Sequence, residues 1–294
     1  IGGTDALRIT GTALTGNALA TIGATGTASS LAGIPFFSDT SNYSIYTHDV
    51  SGTDSTAQYN AAYGLTALDA ITTGDKITAV GYGAGGALTT GGENVAIGFL
   101  ALSTEDTGTQ NVAIGNNALG NQNNDTDGNN ICIGFEAGEQ ITTGRWNHFI
   151  GTQAGDDFDT EHSNLGIGYR SLGGSIAGGE YNCMVGNSSG LTLTSGDSNN
   201  GFGYYALSAC TSGNTNNAFG DRALTAVTES TKNCGFGHQA GFGITTGGNN
   251  ICIGFDSGRA SSPSGNITTG NNNICLGDDN IVNLYCADSS IGTS

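Results

Sequence analysis

Between Tyr59 and Asp279 one pattern recurs thirteen times: an asparagine, two small or apolar residues, one bulky apolar residue and a glycine. The glycines run from Gly64 to Gly277, and nine of the twelve intervals between them are seventeen residues. A fixed period of that length specifies a solenoid, in which each repeat is one coil that buries its apolar side only by stacking on its neighbours. The expected fold is all-β, a repetitive β-solenoid or β-roll with 17-residue coils. The period divides the chain into an N-terminal extended stalk or cap over 1–58, the repeats over 59–279 and a C-terminal junction over 280–294. Within the first segment, IPFFSDTSNYSIYTHDV reads as a short hairpin or cap.

The unit is Asn-a-b-c-Gly-x-x-(Ala/Ser)-(Leu/Gly), followed by a polar stretch often ending Thr-Thr-Gly, as in NVAIGFLAL and NICIGFEAG. Asparagine fills its slot in twelve repeats of thirteen, Ile77 being the exception. In a strand, a and c share one face and b takes the other. Position c is always bulky (Tyr63, Ile97, Ile133, Val185, Phe236), so it is expected to form the coil core, a burial of roughly 1.5–3 kcal/mol per side chain. Position b is mostly Ala, Gly or Cys and is expected to face outward as a close subunit contact, loosened at Phe149 and Met184. Asn94, Gly98, Asn111, Gly115, Asn130, Gly134, Asn250 and Gly254 are expected to shape the turns, because these residue types tolerate left-handed backbone. Stacked asparagines can also hydrogen-bond from coil to coil.

Composition agrees with a thin, ordered rod. Only 36% of residues are hydrophobic and 51 are glycine, too lean for a large core, yet charge is too sparse and spacing too regular for disorder. Net charge is −18 with seven scattered basic residues, which argues against nucleic acid as a partner. No apolar run is long enough to insert in a membrane. Seven cysteines is an odd number, and five of them (Cys132, Cys183, Cys234, Cys252, Cys275) sit in the repeat, reading as small buried hydrophobes. The chain opens at Ile1 without a signal-peptide pattern and is expected to be a piece of a longer polypeptide.

Motifs of chemistry are absorbed by the repeat. Gly81, Gly83 and Gly86 fit G-x-G-x-x-G, but Gly81 is the repeat glycine and no amphipathic helix follows. Ser188 fits the G-x-S-x-G elbow, but the segment aligns with GFEAG and GFDSG, and His48, His148, His162 and His238 lie in separate repeats. No catalytic residue is assigned, and the chain is expected not to be an enzyme. Asn123, Asp125 and Asp127 resemble the first half of a calcium loop whose closing acid is missing, so a polar turn competes with a weak calcium site, calcium being the sole cofactor considered. Asp156, Asp157, Asp159 and Glu161 form a second acidic cluster. Tyr82, Phe99, Phe135, Tyr169, Tyr204 and Phe255 follow the repeat glycine; exposed, they would be candidates for glycan binding, and buried, they would be packing. The interval lengthens by two residues at Asn121 to Asp127, one at Gly173 to Glu180 and six at Arg259 to Thr269, and solenoid insertions form loops on one face.

The NVAIG and NICIG units resemble the β-roll heads of trimeric autotransporter adhesins and the repeat regions of phage tail fibres and tailspikes. The terminal LYCADSSIGTS resembles the junction at which phage fibres join an endosialidase-type intramolecular chaperone, which implies autoproteolytic maturation with Ser294 as the processed end. The phage resemblance implies a homotrimeric fibre of a virion tail, extracellular, acting as rigid spacer and attaching to a host cell-surface glycan or protein. A bacterial adhesin head is the first alternative. A glycan-processing solenoid, or an ice-binding one suggested by Thr73, Thr90, Thr107, Thr143, Thr160 and Thr246, are the others.

Overall fold

The computed structural model describes residues 29–31, 34–39, 42–47, 56–124, 127–174, 178–260, 262 and 265–281. These residues form a β-solenoid with one three-residue strand per coil. Strands β1 (Ser29–Leu31), β2 (Ile34–Asp39) and β3 (Ser44–Tyr46) pair antiparallel in succession, and β3 then pairs parallel with β4 (Ala61–Tyr63). From there each repeat adds one parallel strand: β5 (Thr78–Val80), β6 (Val95–Ile97), β7 (Val112–Ile114), β8 (Ile131–Ile133), β9 (His148–Ile150), β10 (Leu165–Ile167), β11 (Cys183–Val185), β12 (Asn200–Phe202), β13 (Asn217–Phe219), β14 (Cys234–Phe236), β15 (Ile251–Ile253) and β16 (Ile274–Leu276). The register is strictly repeat on repeat, Val95 on Val112 and Ala96 on Ala113. At about 4.8 Å per parallel strand, the thirteen motif strands make a rod roughly 60 Å long.

The alternation is as expected but its sense is reversed. Position b points inward: Ala96, Ala113, Cys132, Phe149, Met184 and Cys252 are fully buried. Positions a and c face out, so Ile133 is half-buried and Tyr63, Val80, Ile150, Phe202, Phe219, Phe236, Ile253 and Leu276 are exposed. The reason is cross-section. With one strand per coil and turns for the remaining walls, the interior is too narrow for a bulky side chain from every side. The residue six positions after b fills what b leaves. In most coils small b is matched by leucine (Ala96 with Leu102, Ala113 with Leu119, Gly166 with Leu172, Ala218 with Leu224), and large b by glycine (Phe149 with Gly155, Met184 with Gly190); small Ala79 and Gly235 are followed by Gly85 and Gly241, against which Leu68 and Leu224 of the preceding coil are packed. A Cβ on Gly155 would collide with the Phe149 ring, and one on Gly190 would approach Met184 Cγ. Phe149 and Met184 are thus interior fillers, with Phe149 edge-on to Phe158 at 4.7 Å, and not a defect in an outer contact.

The repeat glycine ends each strand at a φ only glycine adopts comfortably: Gly98 is at 140°, and a Cβ there would strike the carbonyl of Gly115 one coil on. The asparagines do not take left-handed backbone. That conformation falls on the residue before them (Glu93 at 59°, Gln110 at 61°, Trp146 at 57°), and the asparagine side chain turns inward. Its Oδ1 accepts the backbone N–H of the next asparagine, as from Asn130 to Asn111 (3.1 Å), Asn147 to Asn130 (2.8 Å) and Asn250 to Asn233 (3.0 Å). In most rungs its Nδ2 donates to a carbonyl fourteen residues on, as Asn94 to Gly108 (2.8 Å). The stacked asparagine column is therefore present, as an internal ladder.

Candidate functional site

The broadest chemical feature is the outward sheet face. From β4 to β16 its two rows are Ala61, Thr78, Val95, Val112, Ile131, His148, Leu165, Cys183, Asn200, Asn217, Cys234, Ile251 and Ile274 (a), and Tyr63, Val80, Ile97, Ile114, Ile133, Ile150, Ile167, Val185, Phe202, Phe219, Phe236, Ile253 and Leu276 (c). None of the chain's 25 acidic or seven Lys and Arg residues lies in either row. Phe202, Phe219 and Phe236 form a ladder with centroids 4.9 and 6.0 Å apart. Asn200 Nδ2 donates to Asn217 Oδ1 at 2.8 Å, so the polar pair in row a satisfies itself. A contiguous apolar strip of this length exceeds what a solitary soluble chain ordinarily shows to water.

The row beside it carries the aromatic candidates. Tyr82, Phe99, Phe135, Tyr169, Tyr204 and Phe255 are all exposed, but they do not make one column, because Asn116, Thr152, Asn187 and Asp221 intervene. Tyr82 and Phe99 stack at 5.5 Å, and Phe255 stacks on His238 at 5.0 Å. Tyr204 packs edge-on to Tyr205 at 4.4 Å, with the Arg222 guanidinium 5.8 Å from its centroid. The row is thus a broken aromatic margin to the apolar face.

Of the calcium-loop residues, Asp125 lies outside the described residues. Asn123 is exposed and its N–H donates to the Thr142 carbonyl (2.9 Å), while Asp127 accepts the Thr109 hydroxyl (2.7 Å). Among the described residues no three His, Cys, Asp or Glu side chains are grouped to hold a metal. The second acidic cluster is split: Asp157 and Asp159 are exposed, whereas Glu161 is buried and accepts from the N–H groups of Asp159 (2.9 Å), Thr160 (3.1 Å) and Gly178 (2.9 Å).

Asp156, half-buried beside Asp157, has its carboxyl pushed up to about 6 by burial and then by that neighbouring charge. A carboxyl raised in the fold favours the protonated folded state, so its stabilising effect is complete below the ordinary value near 3.8 and is lost as pH rises through about 6. Asp156→Asn should therefore stabilise the protein at pH 7.5 by about 1 kcal/mol, after allowance for solvent screening, and change nothing at pH 3.5. Melting curves of the two proteins at the two pH values check this; an equal shift at both would assign the effect to packing.

Sequence reasoning missed a second buried carboxylate. Glu105 occupies the interior row filled elsewhere by Leu88, Ile141 and Phe158. It accepts from the N–H groups of Gly108 (2.6 Å) and Asn124 (3.1 Å) and from Gln122 Nε2 (2.9 Å). In the preceding coil the equivalent Gly91 N–H reaches the Asp106 carbonyl. The lengthened interval at Asn121 to Asp127 displaces that acceptor, and Glu105 substitutes for it; Glu161 does the same before the lengthened interval at Gly173 to Glu180. The signal was a glutamate in a leucine or glycine slot one coil before each insertion.

The remaining candidates are occupied structurally. Ser188 is buried in a coil turn at φ 56°, and Gly81, Gly83 and Gly86 precede turns and not a helix. Cys132, Cys252 and Cys275 are buried as position-b fillers, whereas Cys183 and Cys234 sit half-buried in outward row a. Burial pushes the Cys252 thiol up to about 12. Thr73, Thr90, Thr143, Thr160 and Thr246 are exposed and Thr107 half-buried, but the partner row is committed: Thr72, Thr89 and Thr245 donate their hydroxyls to carbonyls of the next coil (2.9, 3.1 and 3.2 Å). A shallow groove of about 280 Å³ lies over Lys76 and Glu93, whose charges pair at 2.7 Å. No helix among the described residues is long and apolar enough to cross a membrane. Neither a family model, nor a curated protein, nor a solved structure matches the chain.

Proposed function

We propose that the chain is the rigid shaft of an extracellular fibre of the phage-tail type, a homotrimer closed through rows a and c, which spaces and attaches a virion at a host cell surface and performs no catalysis. The observation that carries the reading is the unbroken uncharged strip on a chain of net charge −18. Self-association covers that strip with an identical uncharged surface and leaves the like charges apart on the outer walls.

The strip is two side chains wide, so a single flat partner would bury roughly 60 by 10 Å, less than the ~800 Å² per partner of a stable interface. Three copies about an axis cover the strip and the adjoining Tyr82 and Phe99 margin together, in a closed symmetry that needs no further partner. The resemblance of the NVAIG units to trimeric fibres supports the same number. Light scattering should give about three times the 29.4 kDa chain mass. A folded monomer at micromolar concentration overturns the reading. Maturation at Ser294 belongs to the same proposal and concerns residues outside those described.

A further inference from the structure

The residues that precede the ladder asparagines form their own outward column, one per coil. Towards both ends of it neighbours satisfy one another. Tyr43 stacks on Tyr59 at 5.4 Å, Lys76 binds Glu93 at 2.7 Å, Gln110 donates to Glu93 at 3.1 Å, and Asn249 donates to Asn272 at 2.8 Å. In its middle stand Trp146, Ser163 and Tyr181, the one run of the column with an aromatic, a small hydroxyl and an aromatic in consecutive coils. Trp146, the chain's one tryptophan, is 51% exposed, and Tyr181 is 62% exposed.

Backbone hydrogen bonds fix the order of these coils: Trp146 N–H to Gly128 O (3.0 Å), Ser163 N–H to Arg145 O (3.0 Å) and Tyr181 N–H to His162 O (3.5 Å). The two aromatic residues therefore stand two coils apart, about 10 Å, with Ser163 between them. Arg145 holds its guanidinium 5.4 Å from the Trp146 centroid, and the His162 ring meets Trp146 edge-on at 6.3 Å. His162 Nδ1 accepts the Arg145 N–H at 3.0 Å, which fixes the imidazole in place. Both shorter insertions of the repeat border this spot, one ending just before Gly128 and the other just before Tyr181.

We propose that this notch binds one pyranose unit of a surface glycan, with Trp146 and Tyr181 as its two walls and Ser163, His162 and Arg145 as hydrogen-bonding groups. A pyranose ring has two C–H faces suited to aromatic walls and an equatorial rim of hydroxyls suited to the polar floor. Another protein would need about 1,000 Å² of contact, which a one-residue-wide notch among polar neighbours does not supply. A nucleobase would bring phosphates to a chain of net charge −18.

The inference rests on the attachment half of the proposed function, and the two fail separately. Fluorescently labelled full-length chain is applied to a printed mammalian and bacterial glycan array alongside Trp146→Ala and Tyr181→Ala, with light scattering on the same samples. The expected result is a defined set of bound glycans, at least tenfold loss with each variant at unchanged melting temperature, and a shift of the single-tryptophan emission when a bound glycan is titrated into the parent. No glycan bound, or binding unaffected by both substitutions, overturns the site. A monomer that binds glycan through Trp146 overturns the fibre and leaves the site standing; a trimer that binds none overturns the site alone.

Discussion

Cys132→Asp is expected to abolish the stable stack, while Ile133→Asp, one residue further, is expected to leave the chain folded and unable to assemble. Cys132 is fully buried among the interior fillers, with Gly138 and Phe149 nearby, and a carboxylate there has neither water nor a partner. An uncompensated buried charge costs several kcal/mol, a large part of the stability of a single-domain protein. Ile133 stands half-buried in row c between Ile114 and Ile150, with its side chain able to reach solvent in one chain. Its replacement should cost the single chain under about 1 kcal/mol and place like charges together at the proposed axis. Circular dichroism should show Cys132→Asp without strand signal at 20 °C, and light scattering should show Ile133→Asp folded at the mass of one chain. Loss of folding in Ile133→Asp with retention in Cys132→Asp would mean that the inward face has been assigned backwards.

That contrast also marks what could be read from residues alone. The period fixes the coil, the strand and its register, because one displaced residue would break every rung of the ladder. Alternation fixes that a and c share a face. It does not say which face is inside. Apolar bulk at Ile97, Ile114 and Ile133 points inward if each side chain is weighed by the water it escapes, and that weighing fails in a coil this thin. Volume decides instead: at position b and the position six residues on, the interior admits Ala113 beside Leu119, or Phe149 beside Gly155, and not two large groups. The alternation of Leu and Gly six residues after b was visible in the repeat and is the signature of that packing.

The asparagines were legible as a column and misread as backbone specialists. Their polarity suggested turns, whereas the left-handed φ belongs to Glu93, Trp146 and the other preceding residues. Asn129, Asn249 and Asn272 suit that backbone, but Glu93, Trp146, Tyr181 and Lys232 do not; there it is imposed by the ladder on one side and the strand on the other, a tertiary override of local preference. Glu105 escaped notice, and Glu161 was grouped with its acidic neighbours, because a glutamate in an acidic chain draws no attention to its role until its slot is compared with the slots above and below. The Trp146 notch escaped for a related reason: Trp146 and Tyr181 lie thirty-five residues apart in sequence, and only the coil count across a lengthened interval sets them two layers apart.

Asn147→Leu is expected to lower stability by about 3–5 kcal/mol through hydrogen bonds alone, since two buried groups lose their partner in a low-dielectric interior. Asn147 Oδ1 accepts the Asn164 N–H at 3.0 Å, and its Nδ2 donates to the Glu161 carbonyl at 2.7 Å. Leucine is close to asparagine in width and supplies neither group. The chain itself carries a control for size: Ile77 fills the same slot two coils before Asn111, fully buried, and its N–H still donates to Asn60 Oδ1 at 2.8 Å. An aliphatic side chain therefore fits the column, and any loss measured at Asn147 reflects the broken rung and not a clash. Asn116→Asp, in the exposed row, should shift the melt by no more than about 0.5 kcal/mol. Denaturant titration of the three proteins at one concentration separates the cases, and an Asn147→Leu protein within 1 kcal/mol of the parent would show that stacked turns, and not the asparagine ladder, hold coil to coil.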